Sequence, residues 1–155
     1  MAITVGQAAP DFKLFNTEKK EISLSDYKGK NLVILFFPLA FTGVCTAELC
    51  NIRDNYNVYT SLNAEVVGIS IDSLFSLERF KKEQSYNFDL LSDFNKTTAK
   101  AYDSLYETFG FGMVGVTKRS AFVIDKNGVI QYAEILEDAG KQPNFGAIKA
   151  CLEKI

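Results

Sequence analysis

Two cysteines, Cys45 and Cys50, stand in the stretch PLAFTGVCTAELC at positions 38–50. The stretch follows directly on the apolar run Leu32 to Phe37, LVILFF, which reads as a buried strand. A thiol placed where a strand hands over to a helix can serve packing, metal ligation, a structural disulfide or nucleophilic chemistry. The chain holds 3 cysteines and no histidine. A structural zinc or iron–sulfur site takes four ligands at short paired spacing, and Cys45, Cys50 and the distant Cys151 do not supply them. We therefore expect no metal and no other cofactor. The missing imidazole also excludes a Ser-His-Asp or Cys-His site, so any activation of a thiol here must come from another group.

On one continuous helix, residues five positions apart are rotated by about 140° and raised by about 7.5 Å, which puts their Cα atoms roughly 8–9 Å apart. That exceeds the roughly 7 Å that a disulfide tolerates without backbone movement. A permanent Cys45–Cys50 bridge is disfavoured, whereas one that forms as the helix start unwinds stays open. A cysteine in the first helical turn faces free N–H groups and the positive end of the helix dipole, which favours the nucleophilic thiolate. Thr42 can offer a hydroxyl to the sulfur or to an oxygen beside it, and Pro38 fixes the chain at the strand exit. The plain alternative for Cys45 is a small apolar residue filling a strand–helix corner.

The elements that must position these residues follow from periodicity. Phe12 to Phe15 and Glu21 to Leu24 alternate apolar and polar around NTEKK and predict an N-terminal hairpin at a sheet edge. Asn31 to Phe37 and Glu65 to Ile71 read as strands buried on both faces. Cys45, Leu49, Ile52, Tyr56 and Tyr59 trace one helix face. Further helices are expected near Ser76 to Gln84, Thr97 to Tyr106 and Asn144 to Lys154, with a short strand near Asp89 to Leu91. Ser120 to Asp125 and Val129 to Leu136 are strands joined through the turn signal KNG. TFGFGMVGVT, Thr108 to Thr117, reads as a glycine-rich loop covering something. Strands alternating with helices give an α/β fold with a mixed central sheet flanked by helices.

With 155 residues, no internal repeat and no linker, residues 1–155 are expected to form a single domain. Apolar residues make up 47% and the net charge is -2, so no basic stripe exists to track a nucleic acid. No apolar run is long enough to span a bilayer, and the opening MAITVGQAAPDF lacks a charged-then-apolar leader pattern. The expected location is the cytoplasm, where thiols are kept reduced.

Pro38, Thr42 and Cys45 in PLAFTGVC resemble the Pro-x-x-x-Thr/Ser-x-x-Cys signature of the peroxiredoxins. APDF (Ala9 to Phe12), VVGIS (Val66 to Ser70), LLSD (Leu90 to Asp93) and KRSAFVID (Lys118 to Asp125) follow in that family's order, so the similarity covers nearly the whole chain. The resemblance implies a thioredoxin-like fold and reduction of hydrogen peroxide and organic hydroperoxides by a cysteine thiolate through a sulfenic acid. It makes Cys45 the peroxidatic cysteine, Thr42 the hydroxyl that bonds the peroxide oxygen and Pro38 the shield of the sulfur. Arg119 matches the family's active-site arginine, although alone it would read as a surface ion pair beside a strand. Glu48 lies where one branch carries a glutamate near that arginine, and a solvated first-turn carboxylate is its plain alternative.

Cys50 has the spacing of the resolving cysteine in the bacterioferritin comigratory protein type, which implies an intramolecular Cys45–Cys50 disulfide reduced by thioredoxin or glutaredoxin. FTGVCTAELC with the long aromatic loop also resembles the alkyl hydroperoxide reductase E type, which works with one cysteine and an external low-molecular-weight thiol. Cys151, within the last expected helix, reads as structural or incidental. The aromatic loop suits either a homodimer contact or a hydroperoxide pocket. A thioredoxin-type reductase would need Cys-x-x-Cys, which is absent. A non-enzymatic client-binding protein would instead depend on the Phe109 to Val116 loop.

Overall fold

The apolar run after Lys30 forms strand β3 (Asn31–Phe36), buried at every position. The computed structural model describes residues 3–155, so Met1 and Ala2 of the opening stretch lie outside it. The other strands are β1 (Lys13–Asn16), β2 (Glu21–Ser23), β4 (Ala64–Ser70), β5 (Asp89–Ser92), β6 (Ser120–Ile124) and β7 (Ile130–Ile135). They form a 7-stranded sheet in the order β2-β1-β5-β4-β3-β6-β7. β3, β4 and β5 run parallel, while β6, β7 and the β1–β2 hairpin are antiparallel additions. The N-terminal hairpin thus closes one edge of the sheet, as its alternating pattern predicts.

Successive side chains of a strand point to opposite faces, so a strand covered on both sides must be apolar throughout. Val33, Leu35 and Phe37 pack with residues of α1 (Gly43–Asp54), α2 (Tyr56–Ser61), α3 (Leu74–Gln84) and α5 (Phe145–Lys154). Leu32, Ile34 and Phe36 pack on the other side with Ala9, Phe12, Tyr102 and Ala99 of the short helix α4 (Thr97–Ala101). Two helices start on their own sequence signals. Ser73 caps α3 by accepting from the Ser76 N–H at 3.2 Å, and Asn144 caps α5 by accepting from the Ala147 N–H at 3.0 Å. No helix among the described residues is long and apolar enough to cross a membrane.

Two helical expectations change. The face from Cys45 to Tyr59 is divided between α1 and α2 at Asn55, whose side-chain amide donates to the Asn51 carbonyl at 2.8 Å and competes with the backbone ladder. The helix expected from Thr97 to Tyr106 stops at Ala101. Tyr102 donates its hydroxyl to the Pro10 carbonyl at 2.7 Å, Asp103 turns left-handed, and Leu105 pairs with Thr117. Pairing with a segment far along the chain overrides the local helical pattern.

Gly68, in the middle of β4, leaves room for the side chains of Leu90 and Phe37. A Cβ there would lie 2.9 Å from a Leu90 methyl carbon, 3.2 Å from the Phe37 ring and 3.6 Å from a Leu49 methyl carbon. Gly68→Ala should therefore lower unfolding free energy by about 1–3 kcal/mol through overpacking. Denaturant unfolding checks this, and an unchanged midpoint would show that Leu90 and Phe37 move aside freely.

Candidate active site

β3 delivers the chain to buried Pro38, after which the backbone turns sharply. Phe41 adopts a left-handed conformation with φ of 68°, and Thr42 is extended before α1 begins at Gly43. A left-handed aromatic residue costs on the order of 1–3 kcal/mol and persists only where its surroundings hold it. The Thr42 hydroxyl donates back to the Leu39 carbonyl at 2.8 Å instead of capping α1. With an uncapped start, a glycine at the first helical position and no acidic residue in the first turn, the beginning of α1 is weakly held by its own sequence. Cys45 sits in that turn, fully buried against the sheet.

The antiparallel register pairs Phe36 with Ser120, which brings Arg119 beside the exit of β3. Its side chain is 2% exposed. Nη2 donates to the Cys45 sulfur at 3.2 Å and Nη1 to Glu48 Oε1 at 2.6 Å. The guanidinium is completed by the Ala139 carbonyl, which accepts from Nε at 3.1 Å and from Nη2 at 2.9 Å. Burial opposes the charge on Arg119, but Glu48 and the Cys45 sulfur outweigh it and hold the guanidinium above its ordinary value. For Glu48 the balance falls the other way. Burial dominates the pull of Arg119 and pushes the carboxyl from 4.5 up to about 7. Its second oxygen has no hydrogen-bond partner among the described residues, which is the local reason for the penalty.

Pro38, Thr42, Cys45 and Arg119 line one cavity of about 260 Å³, with Leu39, Phe109 and the Ala139–Gly140 backbone completing its wall. The glycine-rich loop does cover something: Phe109 stands over the thiol site. Glu48 touches this group through Arg119. Cys50 does not join it, because its sulfur lies 3.6 Å from Gln84 Oε1 and 3.8 Å from the Tyr86 hydroxyl. Cys151 is apart from both, donating to the Gln131 carbonyl at 3.7 Å, and burial pushes its thiol up. Ala139 escapes sequence reading altogether, since a backbone carbonyl on an irregular loop leaves no residue-type signal. Among the described residues no cluster of His, Cys, Asp or Glu is arranged to hold a metal.

The AhpC/TSA family matches residues 5–133. Peroxiredoxin Bcp of Bacillus subtilis (strain 168) is 39% identical over 130 residues, covering 83% of this chain and 82% of that protein. The chain is a peroxiredoxin of the AhpC/TSA family. The rat mitochondrial thioredoxin-dependent peroxide reductase is 40% identical over 141 residues, covering 84% of this peroxiredoxin and 53% of that protein. Among solved structures, peroxidoxin BcpB of Mycobacterium tuberculosis superposes with a TM-score of 0.87 at 26% identity, covering 99% of this chain and 98% of that one. The thioredoxin-like fold of the family is therefore the fold of this peroxiredoxin.

The arrangement suits nucleophilic attack by an electron-rich sulfur. A charged donor fixed at the thiol stabilises negative charge on the attacking sulfur and on a group displaced from the atom it attacks, without proton exchange of its own.

The raised Glu48 carboxyl has a sign that can be checked. Because its folded value lies above its ordinary one, the folded state holds the proton more tightly. The Glu48 contribution to stability is therefore fully present below about 4.5 and is lost as pH rises to about 7. Unfolding free energy of the parent minus that of Glu48→Gln should fall across this window. A difference that is flat or rising with pH would show that Arg119 wins over burial.

Proposed function

We propose that this peroxiredoxin is a thiol peroxidase in which the Cys45 thiolate reduces hydrogen peroxide and organic hydroperoxides, and Cys50 resolves the product. The observation that carries the reading is the 3.2 Å contact from Arg119 Nη2 to the Cys45 sulfur inside a cavity rimmed by Thr42 and Pro38. The sulfur attacks the terminal peroxide oxygen in line. The S–O bond forms as the O–O bond breaks, giving a sulfenic acid, and the departing oxygen takes a proton to leave as water or alcohol. Arg119 donates to the charge that moves from sulfur to the departing oxygen. The Thr42 hydroxyl, at the cavity rim, accepts from the peroxide O–H, and Pro38 and Phe109 keep water from the sulfur.

In the second step the Cys50 sulfur attacks the sulfenic sulfur, the S–S bond forms and water leaves. Cys45 and Cys50 share the continuous helix α1, so their sulfurs meet only if its first turns unwind. The missing cap and Gly43 support this, because few interactions hold that end. An external dithiol of the thioredoxin or glutaredoxin class then reduces the disulfide in the cytoplasm. The reductase named as thioredoxin-dependent among the relatives supports a thioredoxin. The fully exposed Phe111 gives the loop tip the apolar surface on which a homodimer would form. The second reading has one working cysteine recycled by a small thiol, and the packing of Cys50 against Gln84 and Tyr86 favours it.

Intact mass after one equivalent of peroxide separates these readings. The parent should show a disulfide, Cys50→Ser should show an added oxygen, and Cys45→Ser should neither change mass nor consume peroxide. An added oxygen in the parent, with normal recycling by Cys50→Ser, would establish the one-cysteine route. Turnover by Cys45→Ser would remove the proposal altogether.

A further inference from the structure

The turn that carries the thiol is fastened from a strand that supplies none of the four residues lining its chemistry. Asp72, just beyond β4, accepts from the Ala40 backbone N–H through Oδ2 at 2.9 Å. The same oxygen accepts from the Ser70 hydroxyl at 2.7 Å. Ser70 is fully buried at the end of β4, and its own oxygen accepts from the Asp72 N–H at 3.2 Å. From the other side, Ser92 at the end of β5 donates its hydroxyl to the Asp72 carbonyl at 2.6 Å. Asp72 is thus fixed through backbone and side chain by two parallel strands, and it presents one carboxylate oxygen to one N–H of the turn. Ion pairs do not engage it among the described residues.

The held residue is the decisive one. Ala40 immediately precedes Phe41, whose left-handed φ of 68° directs the chain into Thr42 and α1. Without an anchor at Ala40, Phe41 relaxes towards a right-handed or extended conformation and carries Thr42 and the first turn of α1 with it. The Thr42 hydroxyl is set by the Leu39 carbonyl, on the other side of the same anchor. We propose that Asp72 is the positioning residue of the peroxide-binding turn, holding Ala40 so that Thr42 and Cys45 face one substrate oxygen together. Asp72 touches neither sulfur nor peroxide and acts through the turn.

This inference rests on Cys45 being the peroxide-reactive thiol, and the test keeps the two apart. The second-order rate of the reduced protein with hydrogen peroxide is compared with the rate at which iodoacetamide alkylates Cys45. Peroxide needs the aligned hydroxyl and sulfur, whereas alkylation needs only an accessible thiolate. Asp72→Ala should slow the peroxide reaction at least ~10-fold, about the loss expected from one misplaced contact, while alkylation changes less than ~3-fold. Asp72→Asn retains an oxygen able to accept both hydrogen bonds and should recover most of the peroxide rate. Ser70→Ala, which frees the carboxylate from one anchor and leaves Ala40 bonded, should fall between them and serves if Asp72→Ala does not fold. A parent inert to peroxide would remove the functional reading itself. A reactive parent matched by Asp72→Ala, or by Ser70→Ala where only that variant folds, would overturn the inference. Peroxide and alkylation rates falling together would overturn it equally, as would an Asp72→Asn no better than Asp72→Ala.

Discussion

A guanidinium buried to 2% exposure is the constraint on which the rest of this structure depends. Removing such a charge from water costs several kcal/mol unless its donors are paired, so the fold must bring acceptors to it from different parts of the chain. It does so with the Cys45 sulfur and the Glu48 carboxylate from α1, and the Ala139 carbonyl from the loop after β7. The thiol is one of the acceptors that make the buried arginine tolerable. In the proposed mechanism chemistry and stability therefore share a contact, and a change at either end reaches both.

Each partner arrives by a separate physical route. The β3–β6 register fixes Arg119, and the left-handed turn at Phe41 fixes the start of α1. Gly68 leaves room beneath that helix for the Phe37 and Leu90 side chains. Glu48, one turn after Cys45, reaches the same guanidinium at the cost of leaving an oxygen unpaired. A carboxyl balanced near neutrality is a second consequence of the same burial. Against these supports the start of α1 has no side-chain cap and begins at a glycine, so few interactions of its own resist opening there.

Much of this was legible in the residues. Runs of β-branched and aromatic residues mark β3, β4 and β6, and their unbroken character reports burial on both faces. Cys45 stood out from its place after a strand, and Arg119 from its segment's resemblance to a family rather than from any local pattern. Glu48 was ambiguous because a first-turn carboxylate is favoured by the helix dipole whether or not it meets a cation. The break at Asn55 and the early end of α4 were hidden, since one depends on a side chain competing for a carbonyl and the other on pairing with distant Thr117. Ala139 and the Ala40 N–H were beyond sequence reading for the same reason: backbone groups carry no letter.

In the proposed mechanism the Arg119 fork, through its donor at the Cys45 sulfur, drives the peroxide step. Lysine keeps the charge but lacks the planar fork that serves sulfur, Glu48 and Ala139 together. The most direct measurement is the single-turnover rate of peroxide with reduced Arg119→Lys and parent, at matched folded content by circular dichroism. The rate should fall on the order of 100-fold, the loss from one misplaced electrostatic donor. A folded Arg119→Lys that reacts at the parental rate would contradict it.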